Sequence, residues 1–246
     1  MDNNLLKRIG SGLLLGGGII FCIAFGSFLY ASLVFVIFVA AVYECSTIIT
    51  KSASFKAACF KGHAESKGVE EAIIKQIVLS ICAVMAPVIA LLYLRFWDGA
   101  KGFYLTIWLF VCIWSFDTIA FFAGRAIGGP KLAPSISPKK TWSGFIFGIF
   151  GAVISCLLVH YVLNFNTNAI VFVLITILLA VLSQMGDLAE SKFKRHHKVK
   201  DSGSIIPGHG GVLDRMDGFF LAAPALMILY ILWSSLAFVF GFSTFI

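Results

Sequence analysis

The chain has 246 residues, of which 59% are hydrophobic, 15% aromatic and only 13% charged. A soluble domain carries about a quarter of its residues as charges, so a water-soluble globule is excluded. The mean hydropathy of +0.96 excludes intrinsic disorder as well. A polytopic membrane protein remains, with a net charge of +7 that points to an anionic partner or a cytoplasmic membrane face.

A spanning helix needs roughly 20 apolar residues. Arg8 and Glu44 enclose 35 uncharged residues, too many for one helix, so the stretch divides near Phe25–Tyr30 into predicted spans at 9–26 and 29–49. No small-residue cleavage site is evident after the first run, which reads as a retained span and not as a secretory signal. Residues 51–76 mix Lys and Glu and read as a solvated connector or an interfacial helix. Further spans are predicted at 73–94, 103–123, 144–163, 169–186 and 218–241. The expected fold is therefore all-α, with about seven transmembrane helices. Residues 1–100 would hold the N-terminal helices and their connector, and 101–246 a second transmembrane region with long loops at 124–143 and 187–217.

Basic residues test the count. With the N-terminus inside, 17 of the 19 Lys and Arg fall on cytoplasmic segments, and only Arg95 and Lys101 fall outside. The positive-inside rule predicts that asymmetry for an N-in, C-out chain, with both long loops on the cytoplasmic side. The six cysteines (Cys22, Cys45, Cys59, Cys82, Cys112 and Cys156) form no CxxC pair and read as small buried hydrophobes.

Charge within or beside the spans carries the chemical signal. Asp117 lies inside the apolar run 103–123, where a charge costs roughly 2.5–3.5 kcal/mol and so faces a polar cavity or a buried partner. Asp187 ends the run 169–186. After it comes GDLAESKFKRHHKVKDSGSIIPGHGGVLDRMD, and residues 187–217 hold 11 of the chain's 31 charged side chains. Helical spacing puts Asp187 and Ser191 on one face. Lys194, Arg195, Lys198, Lys200 and Asp201 follow. The turn Pro207-Gly208-His209-Gly210-Gly211 can bring backbone N–H groups against phosphates. Asp214, Arg215 and Asp217 close the segment. Hard oxygen ligands describe Mg²⁺ and not Zn²⁺, and carboxylates beside a basic cluster suit a metal-bound polyphosphate. For the basic residues alone, a patch for anionic lipid heads is an equal reading.

Ser191-x-Phe193-Lys194-Arg195, then Lys200-Asp201, then His209-Gly210-Gly211-x-x-Asp214-Arg215-x-Asp217 resembles the signature of the phosphatidate cytidylyltransferase family, also called CDP-diacylglycerol synthases. Asp117-Thr118-x-Ala120, Gly124-Arg125, Ser137-Pro138-Lys139-Lys140-Thr141-Trp142 and Gly186-Asp187-Leu188-x-Glu190-Ser191 are similar to further family segments. The resemblance spans residues 110–220. Phe121, Ser143 and Gly218 depart from the family's usual Tyr, Glu or Gln, and Ser, none at an expected metal ligand. The chain is short for the family, which implies fewer spans.

The resemblance implies that phosphatidic acid attacks the α-phosphorus of CTP, giving CDP-diacylglycerol and pyrophosphate. It implies Mg²⁺ on Asp187 and Asp214, with Ser191 and Asp217 completing or supporting the shell, and it leaves open a second, monovalent cation. Lys194, Arg195, Lys200 and Arg215 would neutralise phosphate charge. Asp201 and His209 complete the catalytic set. Lys139 and Lys140 would hold the lipid phosphate or the nucleotide, Gly210 and Gly211 would contact substrate, and Asp117 would line the cavity. The expected setting is the bilayer of a bacterial cytoplasmic (inner) membrane, with a homodimer as the family's assembly and no nucleic-acid partner. Two other classes fit part of the pattern: a CTP-dependent kinase of a long-chain membrane alcohol, and a transporter. A transporter would spread its functional charges over both membrane halves, whereas these crowd into two loops on one side.

Overall fold

A computed structural model describes residues 14, 16–59, 63–97, 99–165, 167–206 and 210–240. The elements are α1 (Gly16–Phe25), α2 (Ser27–Cys59), α3 (His63–Phe96) and α4 (Gly99–Ile127), then a hairpin of β1 (Lys131–Ala133) and β2 (Ser137–Thr141). They continue with α5 (Trp142–Val162), α6 (Ala169–His196), the single turn α7 (Leu213–Met216) and α8 (Phe219–Phe240). Among the described residues, five helical segments are long and apolar enough to cross a membrane: Phe28–Ser52, Glu71–Phe96, Gly99–Ile127, Trp142–Val162 and Ala169–His196. Gly16–Phe25 and Phe219–Ser235 are shorter apolar helices. Apart from the β1–β2 hairpin, the described residues make up an all-α integral membrane protein.

Gly26 interrupts the first long apolar stretch, inside the expected division at Phe25–Tyr30. The 51–76 connector, expected as a solvated connector or an interfacial helix, is largely helical, since α2 runs to Cys59 and α3 begins at His63. Two stretches differ from expectation. The 124–143 loop folds into the β1–β2 hairpin, antiparallel, with Lys131 opposite Thr141 and Ala133 opposite Ser137. Finally, α6 continues ten residues past the apolar run, so Asp187 through Arg195 are helical. Leu188, Ala189, Glu190, Lys192, Lys194 and Arg195 are strong helix formers, and the i,i+4 pair Glu190–Lys194 reinforces the turn. The helix ends where Lys198 adopts φ +58°. There Val199 N–H donates to Lys194 C=O and Lys198 N–H to Arg195 C=O, the bond pair of a Schellman cap.

The chain forms two compact units. The first comprises Met1–Val88 and Glu190–Asp217, the second Ile89–Ala189 and Gly218–Ile246. In the first, Tyr30, Val34, Ala41, Ile48 and Ile49 of α2 are buried, as are Leu213 and Met216 of α7.

The second unit is organised on α4 and α5. Glycines on α5 let the two backbones approach: a Cβ on Gly144 would meet Ala120 O at 2.6 Å, and one on Gly148 would meet the Phe116 ring at 2.9 Å. Small residues at such a seam allow the close packing that holds membrane helices together when lipid is as apolar as leucine. Deeper in this unit Trp108 stacks on Phe172 with centroids 4.2 Å apart. Its indole N–H donates to Thr176 Oγ1 at 3.0 Å, which satisfies the one polar atom of a fully buried ring.

Candidate active site

In the first unit the charged segment gathers around Lys194. The last turns of α6 point its ammonium at Glu190 Oε2, 2.6 Å away, and at Asp214 Oδ1, 2.5 Å away. All three side chains are largely buried. Asp214 Oδ2 accepts two backbone N–H groups, from Ser202 at 3.1 Å and Gly211 at 3.0 Å. Burial alone would raise the Asp214 pKa, but Lys194 and the Gly211 and Ser202 amides outweigh it and hold the carboxyl below its ordinary value. Asp214 is thus an ionised carboxylate fixed by three donors.

The Gly210-Gly211 pair has two separate steric reasons. Gly210 sits at φ +83°, a region that L side chains rarely enter, and its C=O receives the Ile206 N–H at 3.0 Å. At Gly211 a Cβ would collide with Ser202 Oγ and come within 2.5 Å of Glu44 Oε2.

Glu44 is a residue that the sequence reading used only to bound a span. Its side chain, on α2, is buried at 2% exposure. The carboxylate accepts the Ser202 hydroxyl at 2.9 Å, Val212 N–H at 3.0 Å and Leu213 N–H at 2.9 Å. The signal was present in the sequence as the one acid of the long apolar stretch between Arg8 and Lys51, of the kind that marks a functional position.

Of the other expected residues in this unit, Ser191 is buried and Asp217 half-buried, while Arg195, Lys200, Asp201 and Arg215 are exposed. The Arg195 guanidinium donates to Val199 O at 3.0 Å, at the helix end. His209 and its neighbours Pro207 and Gly208 lie outside the described residues.

In the second unit Lys140 forms an ion pair with Asp187, both half-buried. Lys140 is placed by β2, and the strand runs directly into α5 through Thr141, whose Oγ1 accepts Gly144 N–H at 3.1 Å as the N-cap. Ser143 Oγ donates to Gly128 O, and Trp142 N–H donates to Pro130 O at 3.0 Å. Gly128 and Gly129 take φ values of +68° and +98°, which allow the chain to leave α4 and return as the hairpin. Lys139, beside Lys140, points to the surface, and Asp117 is exposed on α4.

These groups fit Mg²⁺ in kind. Asp187, Asp214 and Asp217 offer hard oxygens. Among the described residues no three His, Cys, Asp or Glu side chains gather as a metal cage. Mg²⁺ is commonly held by one or two carboxylates together with waters and substrate phosphates, with no dedicated protein cage.

Residues 61–233 match the cytidylyltransferase family. The chain belongs to that family. The match takes in the β1–β2 hairpin, all of α6 and the segment through Asp217 that carries the carboxylates. Among curated relatives, the phosphatidate cytidylyltransferase of Staphylococcus aureus is 40% identical over 153 residues, 62% of this chain and 59% of that protein. The one of Brucella abortus is 52% identical over 133 residues, 54% of this chain and 48% of that protein. The chain thus spans from just under half to about three fifths of the length of these curated relatives.

Proposed function

We propose that the protein transfers the cytidylyl group of CTP to phosphatidic acid. A phosphate oxygen of the lipid attacks the α-phosphorus, the bond from that phosphorus to the bridging oxygen of the β-phosphate breaks, and pyrophosphate leaves with that oxygen. CDP-diacylglycerol remains in the bilayer. Family membership over the stretch containing both charged segments carries this reading.

Such a displacement needs positioning and charge neutralisation more than covalent catalysis. The lipid phosphate arrives ionised, so no general base is assigned. We assign Lys140, paired with Asp187, and Lys194, held between Glu190 and Asp214, to neutralisation of phosphate charge together with the metal. Arg195, Lys200 and Arg215, exposed on the polar segment, suit the phosphates of CTP and the departing pyrophosphate. Lys139 is a further phosphate contact, and Gly210 and Gly211 let the backbone approach the substrate closely. We assign Mg²⁺ binding to the carboxylates of these segments, Asp214 and Asp217 in the first unit and Asp187 in the second, with Ser191 in support. When bound, the ion would neutralise phosphate charge and polarise the reacting phosphoryl group. A monovalent cation beside it, roles for Asp117, Asp201 and His209, and a homodimer complete the proposal.

The same reading extends to the membrane. Counting α1 and α8 gives seven spans, N-in and C-out, with the charged segments at the cytoplasmic face of a bacterial inner membrane. CTP is aqueous, and the phosphatidate head lies at the interface, so that face is where both substrates meet.

The test is incubation of membranes carrying this chain with α-labelled CTP, phosphatidate and Mg²⁺. Label is expected in the organic phase, and is expected to be lost in Asp187→Asn and Asp214→Asn. Absence of lipid-linked label with the wild type, or undiminished label in those variants, overturns the proposal. Label recovered as CDP alongside a phosphorylated long-chain alcohol would establish the kinase instead.

A further inference from the structure

Glu44 and Asp214 grip the same short segment from two sides. Ser202 is the shared residue: its hydroxyl donates to Glu44 Oε2 at 2.9 Å and its backbone N–H to Asp214 Oδ2 at 3.1 Å. The other end of the segment is held in the same way, with Val212 and Leu213 N–H on Glu44 and Gly211 N–H on Asp214. Val212 and Leu213 lead into α7, the turn that carries Asp214. A Cβ on Gly203 or on Gly211 would each come within 2.5 Å of a Glu44 carboxylate oxygen, so the segment is packed onto this carboxylate with no room to spare.

A buried carboxylate in an apolar helix is costly unless its oxygens are satisfied, and packing alone would be served as well by leucine or methionine. Three donors from one segment, reaching across as many as 169 residues of sequence, compensate that cost. They also leave Ser202, Val212 and Leu213 one geometry, because each donor must meet a fixed oxygen. We infer that Glu44 is a positioning residue for the reaction: it holds Ser202 and Val212–Leu213 so that Asp214 faces Lys194 in the orientation the chemistry needs. This rests on the function proposed above. Glu44 acts through the segment and touches no reacting atom.

The consequence follows from hydrogen-bond inventory. Glu44→Gln keeps the shape but replaces one acceptor oxygen by an NH₂ donor, which faces N–H and O–H donors that it cannot serve. Glu44→Asp keeps both acceptors on an arm one methylene shorter. Ser202→Ala removes one donor to Glu44 and leaves the amide on Asp214.

The experiment has two readouts on the detergent-solubilised full chain: steady-state kinetics of cytidylyl transfer per mole of folded enzyme, and backbone hydrogen exchange. Residues that orient metal-site and phosphate-site groups typically contribute about 10–100-fold. In Glu44→Gln we expect kcat to fall by about that range, the Mg²⁺ concentration for half-maximal rate to rise, and the phosphatidate KM to stay within about twofold. Exchange in 202–206 and 210–214 should quicken while the β1–β2 hairpin exchanges as in the wild type. Glu44→Asp should recover part of the rate, and Ser202→Ala should show the same pattern more weakly.

Wild-type kcat and wild-type exchange in Glu44→Gln overturn the inference, as does a lowered kcat with unchanged exchange. If Glu44→Gln does not fold, Ser202→Ala decides by the same two readouts. If the wild type transfers no cytidylyl group, the functional reading has failed, and the exchange comparison still shows whether Glu44 fixes the segment.

Discussion

Lys194 Nζ and Asp214 Oδ1 lie 2.5 Å apart although 20 residues separate them in the chain. The pair joins the end of α6 to α7 and closes the charged segment into a structure. Glu190, one turn before Lys194, gives the same ammonium a second carboxylate. One cation between two acids leaves that group of three with a net negative charge before any metal or nucleotide is considered.

Removing the cation should therefore be worse than removing either acid. Lys194→Met leaves two carboxylates facing each other in a site about nine-tenths buried, and breaking a buried pair costs about 3–5 kcal/mol. Thermal unfolding in detergent should show a large fall for Lys194→Met. The double variant Lys194→Met with Glu190→Gln should recover part of it. No recovery would mean that the ammonium contributes by packing alone.

The depressed pKa of Asp214 sets a sign for pH dependence. A group bound more tightly as its anion in the folded state contributes stability that is full above the ordinary carboxylate value of about 3.9 and is lost as the pH falls through its lower folded value. The stability difference between wild type and Asp214→Asn should thus be constant from pH 8 down to about pH 5 and shrink below about pH 4. Chemical denaturation at stepped pH measures it. A difference that grows on acidification would contradict the assignment.

Gly210 and Gly211 should fail differently. Gly210→Ala places a side chain at φ +83°, at a cost of about 1–2 kcal/mol, and its Cβ would lie 2.9 Å from Asp214 Oδ2. Gly211→Ala drives a methyl into Ser202 Oγ and the Glu44 carboxylate, so the segment must move. We expect Gly211→Ala to abolish transfer while remaining folded enough to purify, and Gly210→Ala to retain measurable activity. Equal activity in the two would show that the Glu44 contact is not what excludes a side chain at 211.

The α4–α5 seam makes a stability prediction without chemistry. Gly144→Ala meets the Ala120 carbonyl oxygen, a backbone atom that cannot swing aside. Overpacking of this kind costs about 1–3 kcal/mol. Gly16→Ala, where no atom lies within 4 Å of the added carbon, is the control and should leave the melting temperature unchanged. A similar melting temperature for both would mean that the helices separate readily at Gly144.

Much of this was legible from residue order. Hydropathy runs longer than about 20 residues have few alternatives to a membrane helix, which is why α4 and α5 fall within several residues of the expected spans, while α3 begins at His63, ten residues before its own. The motif residues were legible because Lys194, Gly211 and Asp214 stand in a short segment dense in charge and glycine. The helical spacing of Asp187 and Ser191 anticipates the first turn of α6 past Gly186, and its extension to His196 was hidden by the change from apolar to charged residues. The hairpin was hidden because three prolines in 124–143 suggest a loop, and one lies within β2 at Pro138. A two-stranded ribbon leaves room for that, since both its strands are edges.

By itself, the sequence determined the solvent this chain lives in and the charged groups its polar segments offer, because composition and residue type carry that information locally. The choice of partners was decided only in three dimensions. Glu44 with Ser202 spans 158 residues and Lys140 with Asp187 spans 47, and no periodicity relates such positions. A buried carboxylate takes whichever donors the packed helices bring to it, so the identity of those donors is a property of the fold.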